Sequence, residues 1–253
     1  MNRMELIAQR YNKQIFRRGP DAVKLWNEEV PAADVLSEAL NQARAQEAGL
    51  PVPRLHEVTK LEGRWAILSD FIEGETLLQR IEAAPERLEE HLELFVQLQA
   101  RVHAARAPKL PPQKDKLHRR ISASGLDATT RYELHVRLEA MPQHEKVCHG
   151  DFMPSNVILQ GEGNAPKAYI IDWAHVTQGN AAADAANTYV ALLKCGREAL
   201  AEAYLKLYCL RSDTALQYVR KWVPIIAGAH LARCKPEERA FYTGFCEGVA
   251  GEK

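Results

Sequence analysis

Residues 147 to 159 read VCHGDFMPSNVIL, and residues 167 to 175 read KAYIIDWAH. Both stretches set polar side chains at the edge of an apolar run. Asp151 and Asn156 precede Val157, Ile158 and Leu159, and Asp172 follows Tyr169, Ile170 and Ile171. A carboxylate at the end of a buried strand is costly unless a cation or hydrogen bonds await it. Asp172 lies 16 residues after Asn156, room for one strand, a turn and a second strand. Such a hairpin returns its end to its beginning, so Asp151, Asn156 and Asp172 can converge. Two carboxylates and an amide oxygen are hard ligands suited to Mg²⁺, which keeps waters and adds phosphate oxygens. The bland alternative is a well-capped turn, and what stands beside these residues decides between the two.

The elements that must position them fall into two groups. LIAQRY, QIFRR and AVKLW are short apolar segments punctuated by Asn12-Lys13 and Gly19-Pro20-Asp21, the pattern of an antiparallel meander. From Ala32 to Ala48 the period turns helical, with Leu36, Ala39, Leu40 and Ala43 on one face. Gly49 stops that helix, and RLHEV and RWAILSDFI read as two more strands around Glu62-Gly63. After Gly74 the chain is mainly helical, first over 86 to 105, then from an N-cap at Asp127 to about Met141, and again from Ala181 onward. KLPPQKDKLHRR (109 to 120) is Pro-bearing and basic; it reads as a solvated connection, with contact to an anionic substrate as the alternative. Two short strands flank Gly161-Glu162-Gly163-Asn164. The expectation is an α+β fold in two lobes, 1–70 and 71–253, joined near Ser69 to Gly74.

H-x-D-x-x-x-x-N followed by an apolar strand, a turn and I-I-D resembles the catalytic centre of the protein-kinase-like superfamily. In its His-Gly-Asp and Ile-Asp-Trp form it is similar to the aminoglycoside phosphotransferase and choline kinase branch. That resemblance implies a small antiparallel sheet with one helix in the N-lobe and a mainly helical C-lobe. It implies Asp151 as the base that orients a substrate hydroxyl and takes its proton, with His149 beside it as a loop member hydrogen-bonded to backbone. Asn156 and Asp172 would hold magnesium ions at the nucleotide phosphates. AVKLW resembles the strand whose lysine reaches the α- and β-phosphates, which nominates Lys24, with Glu38 as its partner. Glu38 nevertheless lies nearly opposite the apolar stripe, where an ordinary solvated glutamate also fits. Ser69, Asp70 and Phe71 would form the hinge whose backbone reads the purine edge. ATP is the implied donor, with GTP the alternative.

One feature departs from that pattern: the segment near Tyr11 to Gln14, where a glycine-rich loop should cover the phosphates, has no glycine. It leaves a rival reading, a nucleotide-binding regulator without turnover. No G-x-x-x-x-G-K-[ST] occurs, so a P-loop is excluded by motif. Gly150 stands where protein kinases place an arginine, and no A-P-E segment follows Asp172, so the acceptor is expected to be a small hydroxyl-bearing molecule. Carboxylates or an aromatic cage for a cationic acceptor have candidates in Glu237, Glu238, Trp222, Tyr242 and Glu247. Asp184 resembles a family aspartate that opens a helix and braces the catalytic loop.

Basic and acidic residues number 33 each, which gives no pull toward nucleic acid or membrane. No apolar run reaches the about 18 residues of a membrane span, and the first residues carry no apolar signal core, so a cytoplasmic location is expected. The five cysteines form no C-x-x-C pair and read as reduced thiols. Cys148, beside His149, invites a nucleophile reading, but its apolar setting favours a buried, inert thiol.

Overall fold

The computed structural model describes residues 4–107, 109–161, 166–247 and 249. Packing divides the chain into two compact units, Met1–Pro85 with Pro154–His175, and Glu86–Met153 with Val176–Lys253. The first unit takes a stretch from beyond residue 70, so packing units and the lobes 1–70 and 71–253 are different divisions of the chain.

The first unit opens with β1 (Glu5–Gln9), β2 (Lys13–Arg18) and β3 (Asp21–Trp26), paired antiparallel in succession. Gly19 makes the β2–β3 turn at φ 62°, a left-handed conformation that costs glycine little. Helix α1 (Ala32–Glu47) follows, then β4 (Leu55–Leu61) and β5 (Arg64–Asp70). Glu62 and Gly63 both have positive φ, the requirement of a tight hairpin turn. The sheet order is β1-β2-β3-β5-β4.

Alternation along β3 sets the two faces of this sheet. Val23 and Leu25 pack with Ala66 and Leu68 on one side. Trp26 and Ile67 pack with Val35 and Ala39 of α1 on the other. Lys24, between Val23 and Leu25, therefore faces the helix. The face of α1 differs from the expected stripe. Val35, Glu38, Ala39, Asn41 and Ala45 are buried, while Leu36 and Leu40 are 47% and 50% exposed. The expected stripe followed apolar residues alone, whereas the observed face is chosen by what the sheet presents, including a lysine.

Beyond β5, Gly74 passes so close to the backbone of residues 159 and 160 that a Cβ there would collide with the Leu159 carbonyl oxygen. β6 (Glu75–Thr76) leads into α2 (Leu77–Ala83), started by a reciprocal Thr76–Gln79 capping box.

The second unit then begins with α3 (Leu88–Ala104), whose Phe95 stacks on Phe152 at 4.6 Å. The basic segment expected as a solvated connection is in fact α4 (Gln113–Ser122). Pro112 sits at its N-cap, where a proline costs no helical hydrogen bond, and Leu117 and Ile121 bury one side. α5 (Ala128–Ala140) starts where Asp127 accepts from the Thr130 N–H at 2.9 Å, as the sequence indicates. β7 (Lys146–Cys148) leads to the Asp151 loop.

The chain returns to the first unit for β8 (Val157–Gln160) and β9 (Lys167–Ile170), which pair with each other while β8 also pairs with β6. Of the expected turn between them, 162–164 lie outside the described residues. Back in the second unit, β10 (Thr177–Gly179) pairs with β7. Helices α6 (Ala181–Lys194), α7 (Glu198–Ser212), α8 (Leu216–His230) and α9 (Arg239–Gly244) complete it. The class is α+β: an antiparallel sheet with one helix, then a mainly helical part.

Candidate active site

In the first unit four charged side chains meet. The Lys24 ammonium donates to Glu38 Oε1 and lies 3.6 Å from Asp172 Oδ1. Lys13 Nζ lies 3.6 Å from Glu38 Oε2 and 3.4 Å from Asp172 Oδ1. The Glu38 side chain is 7% exposed and that of Asp172 31%, so the cluster runs from interior to surface. Burial by itself pushes Lys24 down, but the carboxylates of Asp172 and Glu38 outweigh it and hold the lysine above its ordinary pKa. Glu38 is a buried ion-pair partner, and the solvated alternative is set aside.

Two features aim Asp172. Its backbone is left-handed at φ 65°, a conformation rare for any residue but glycine and one that costs energy. The preceding Ile171 N–H donates to the Asn156 carbonyl at 2.9 Å, so the β8–β9 hairpin brings Asn156 and Asp172 to one end. No group of three His, Cys, Asp or Glu side chains suited to a metal occurs among the described residues. A carboxylate and an amide oxygen are hard donors that leave most coordination to water and phosphate, the pattern that fits Mg²⁺.

The expected hinge is tied down. Ser69 pairs with Ala22 and Leu55 inside the sheet. The Asp70 N–H donates to the Arg54 carbonyl at 3.0 Å and the Phe71 N–H to the Pro20 carbonyl at 2.8 Å. Those two donors are already committed within the protein. Asp70 and Phe71 line an open groove of about 530 Å³ together with Pro20, Glu73 and Tyr169.

Asp151 belongs to the second unit, on a loop whose backbone is held from beneath. Asp184 Oδ1 accepts from the Gly150 N–H at 2.7 Å, and Oδ2 from the His149 N–H at 3.3 Å. His103 Nε2 lies 3.0 Å from the same Oδ2. Asp184 is 1% exposed. Burial alone would raise its pKa, but the His103 hydrogen bond and the loop N–H groups outweigh it and hold the carboxyl below the usual range. The fully buried His149 ring accepts the Asp151 N–H on Nδ1 at 3.2 Å. That is a structural bond, and it fixes the backbone of Asp151. Asn187 Nδ2 donates to the Gly150 carbonyl at 3.1 Å and Thr188 Oγ1 to the Phe152 carbonyl at 2.8 Å. Cys148 is buried with its thiol 3.4 Å from the Asn180 carbonyl; burial, then Asp184, pushes its pKa well up, which suits an inert thiol.

Residues 5–222 match the family model described as the phosphotransferase enzyme family, APH. The chain belongs to that family. Solved structures share its fold at low identity. A thermostable mutant of the aminoglycoside phosphotransferase APH(4)-Ia, in ternary complex with AMP-PNP and hygromycin B, matches with a TM-score of 0.72 and 15% identity over 98% of this chain and 93% of that one. Choline kinase LicA from Streptococcus pneumoniae matches with a TM-score of 0.63 and 14% identity over 99% and 94%. An aminoglycoside-3'-phosphotransferase of type VIII matches with 0.64 and 18% over 88% and 93%. The search of curated proteins returned no match. These likenesses establish the protein-kinase-like fold that the sequence motif implies.

Two residues of this phosphotransferase-family site had no sequence signal. Lys13 opens β2 from what reads as a polar turn, and nothing in the pattern says its ammonium reaches Asp172. His103 closes α3, and its partner Asp184 is 81 residues away. The carboxylates and aromatics considered for a cationic acceptor stand in different settings. Glu237 and Glu247 are exposed, Trp222 is fully buried, and Glu238 binds Lys194 at 3.2 Å.

Proposed function

We propose that this chain moves the γ-phosphoryl group of ATP, with GTP the alternative donor, to a hydroxyl of a small molecule. The acceptor class spans aminoglycoside-, amino alcohol- and sugar-like compounds. The observation that carries this reading is the Lys24–Glu38–Asp172 cluster with Lys13 at its edge. Lys24, held by Glu38, places a positive charge for the nucleotide phosphates. Lys13 adds a second ammonium from the glycine-free segment, which answers that departure and weighs against a regulator without turnover. Asn156 and Asp172 would hold Mg²⁺, which when bound offsets charge on the phosphate oxygens. Ser69, Asp70 and Phe71 form the segment that reads the base. Support for ATP comes from the AMP-PNP complex of the hygromycin-binding relative.

Asp151 supplies the acceptor chemistry. It takes the hydroxyl proton as the new O–P bond forms and the bond from the γ-phosphorus to the ADP oxygen breaks. Most of the rate comes from positioning and electrostatics, so a rigid loop under Asp151 matters as much as its basicity. The roles divide near residue 70, nucleotide binding in 1–70 and catalysis, metal and acceptor in 71–253. We place the protein in the cytoplasm, with five free cysteines and no described helix long and apolar enough to cross a membrane. Asp151→Ala is expected to keep ATP affinity, measured by calorimetry, while turnover falls by about 10³-fold. Wild-type turnover in that variant would remove Asp151 from its role.

A further inference from the structure

Helix α6 holds the Asp151 loop with one face. Asp184, Asn187 and Thr188 follow one another at helical spacings of three and four from Asp184, which brings them to the same side. Asp184 accepts the N–H groups of His149 and Gly150, and Thr188 Oγ1 donates to the Phe152 carbonyl. Asn187 holds the point between them, with Nδ2 on the Gly150 carbonyl at 3.1 Å.

That carbonyl belongs to the peptide that enters Asp151. The other end of the same peptide, the Asp151 N–H, donates to His149 Nδ1 at 3.2 Å. Gly150 has φ 77°, and glycine passes between backbone states at little cost. Rotation of this one peptide would re-aim the Asp151 side chain. The bonds at its two ends therefore set the direction of the carboxylate.

The Asn187 amide can serve only one way round. Toward a carbonyl it must present its NH₂, since an amide oxygen there would find no donor. Its oxygen then faces away from the loop, and His230 Nε2 lies 2.7 Å from it. An Nε2–H is what that oxygen requires, and this selects the tautomer of the ring. His230 closes α8, which packs on α6, and its ring lies parallel to that of Tyr242 with centroids 5.0 Å apart. Burial, then Arg120 and Lys194, lowers the pKa of His230 to about 4, so at neutral pH the ring is uncharged and carries a single N–H. Without that N–H the amide is free to turn over and set oxygen against oxygen at Gly150.

We propose that His230 is a positioning residue for phosphoryl transfer: its ring N–H fixes the Asn187 amide, which holds the Gly150 carbonyl and so aims Asp151. The inference rests on the phosphotransferase reading and adds to it a side chain 79 residues from the base it serves.

Two variants separate the N–H from the ring. His230→Phe keeps a flat ring against Tyr242 and removes the donor, whereas His230→Gln returns an amide N–H near the place of Nε2. ADP release from ATP in Mg²⁺ is measured in water alone and with kanamycin, choline and glucose each offered as acceptor. His230→Phe is expected to lower kcat about tenfold at unchanged KM for ATP, and His230→Gln to recover most of that loss. In an Asn187→Ala background His230→Phe should cost nothing further, because the intermediary is gone. Proton–nitrogen correlation spectra should show wild-type His230 protonated on Nε2, a measurement that needs no variant to fold. They should also show the Asp151 amide resonance shifted in His230→Phe and returned in His230→Gln. The proposal is overturned if His230→Phe turns over like wild type, if His230→Gln falls as far, if the Asn187 and His230 losses add, or if the proton sits on Nδ1. Should wild type release no ADP in water or with any acceptor, the phosphotransferase reading fails by itself. The Asp151 amide then decides the positioning alone, which an unmoved resonance removes and a shift keeps.

Discussion

Asp172 and Asp184 stand twelve residues apart in the chain, and the molecule answers them in opposite ways. Asp172 follows β9 on a strained left-handed backbone, partly exposed, with two lysine ammoniums at 3.4 and 3.6 Å. Asp184 lies in the first turn of α6, 1% exposed, with two backbone N–H groups and an imidazole on its oxygens. Long flexible cations can yield to a competing ion, whereas peptide N–H groups cannot move without the loop that carries them. The first aspartate is built to exchange partners and the second to keep them. On the function proposed above, that difference separates a residue that handles a ligand from one that shapes the site.

The contrast can be broken most forcefully at Asp184. Asp184→Ala leaves two N–H groups and His103 buried without their acceptor and should cost about 3–5 kcal/mol of stability in urea denaturation. Because the folded-state pKa of Asp184 is depressed, its contribution is complete above the unfolded value of about 4 and is lost as pH falls through the folded one. Asp184→Asn should therefore flatten the acid limb of stability against pH. If both variants match wild type from pH 7 down to acid unfolding, the brace is not structural.

Asp172→Asn should show the reverse signature, a loss of turnover of about 10²-fold with stability changed by less than about 1 kcal/mol. Equal losses from both aspartates would erase the distinction. Lys24→Met is intermediate. It leaves Glu38 buried with Lys13 as remaining partner, at a cost of about 2 kcal/mol. The raised pKa of Lys24 means that its contribution is full below the unfolded value of about 10.4 and disappears as pH rises through the folded value. The alkaline limb of the stability curve should shrink in that variant, and an unchanged limb would show that the pair contributes nothing to folding.

Much of this was legible in the sequence, and the failures share a cause. Strands β1 to β5 announce themselves through alternation and through turns at Gly19 and Gly63. Asp151, Asn156 and Asp172 draw notice because oxygen-bearing side chains interrupt apolar runs. The apolar stripe through Leu36 and Leu40 marks the wrong face of α1: those leucines are half-exposed, whereas Glu38, which the family resemblance names as the Lys24 partner, is buried. Burial of a paired charge looks hydrophilic in one dimension, since its partner Lys24 is 14 residues away. Helix α4 was hidden by its prolines and charges, with Leu117 and Ile121 alone marking an inner face. β6 and β10 have two and three residues, too few for any period. Lys13 and His103 act through partners distant by 159 and 81 residues, and no local pattern encodes such pairs.

The first unit is discontinuous, 1–85 completed by 154–175, and this restricts how the gene can be cut. A fragment ending after α2 would hold Lys13, Lys24 and Glu38 but lack β8, β9 and the aspartate that both lysines approach. Shuffling a nucleotide half between relatives at a single crossover near residue 70 or 85 would likewise pair lysines from one parent with an aspartate from another. Two-junction exchange of 154–175 along with the N-terminal stretch is the recombination that preserves this electrostatic set intact.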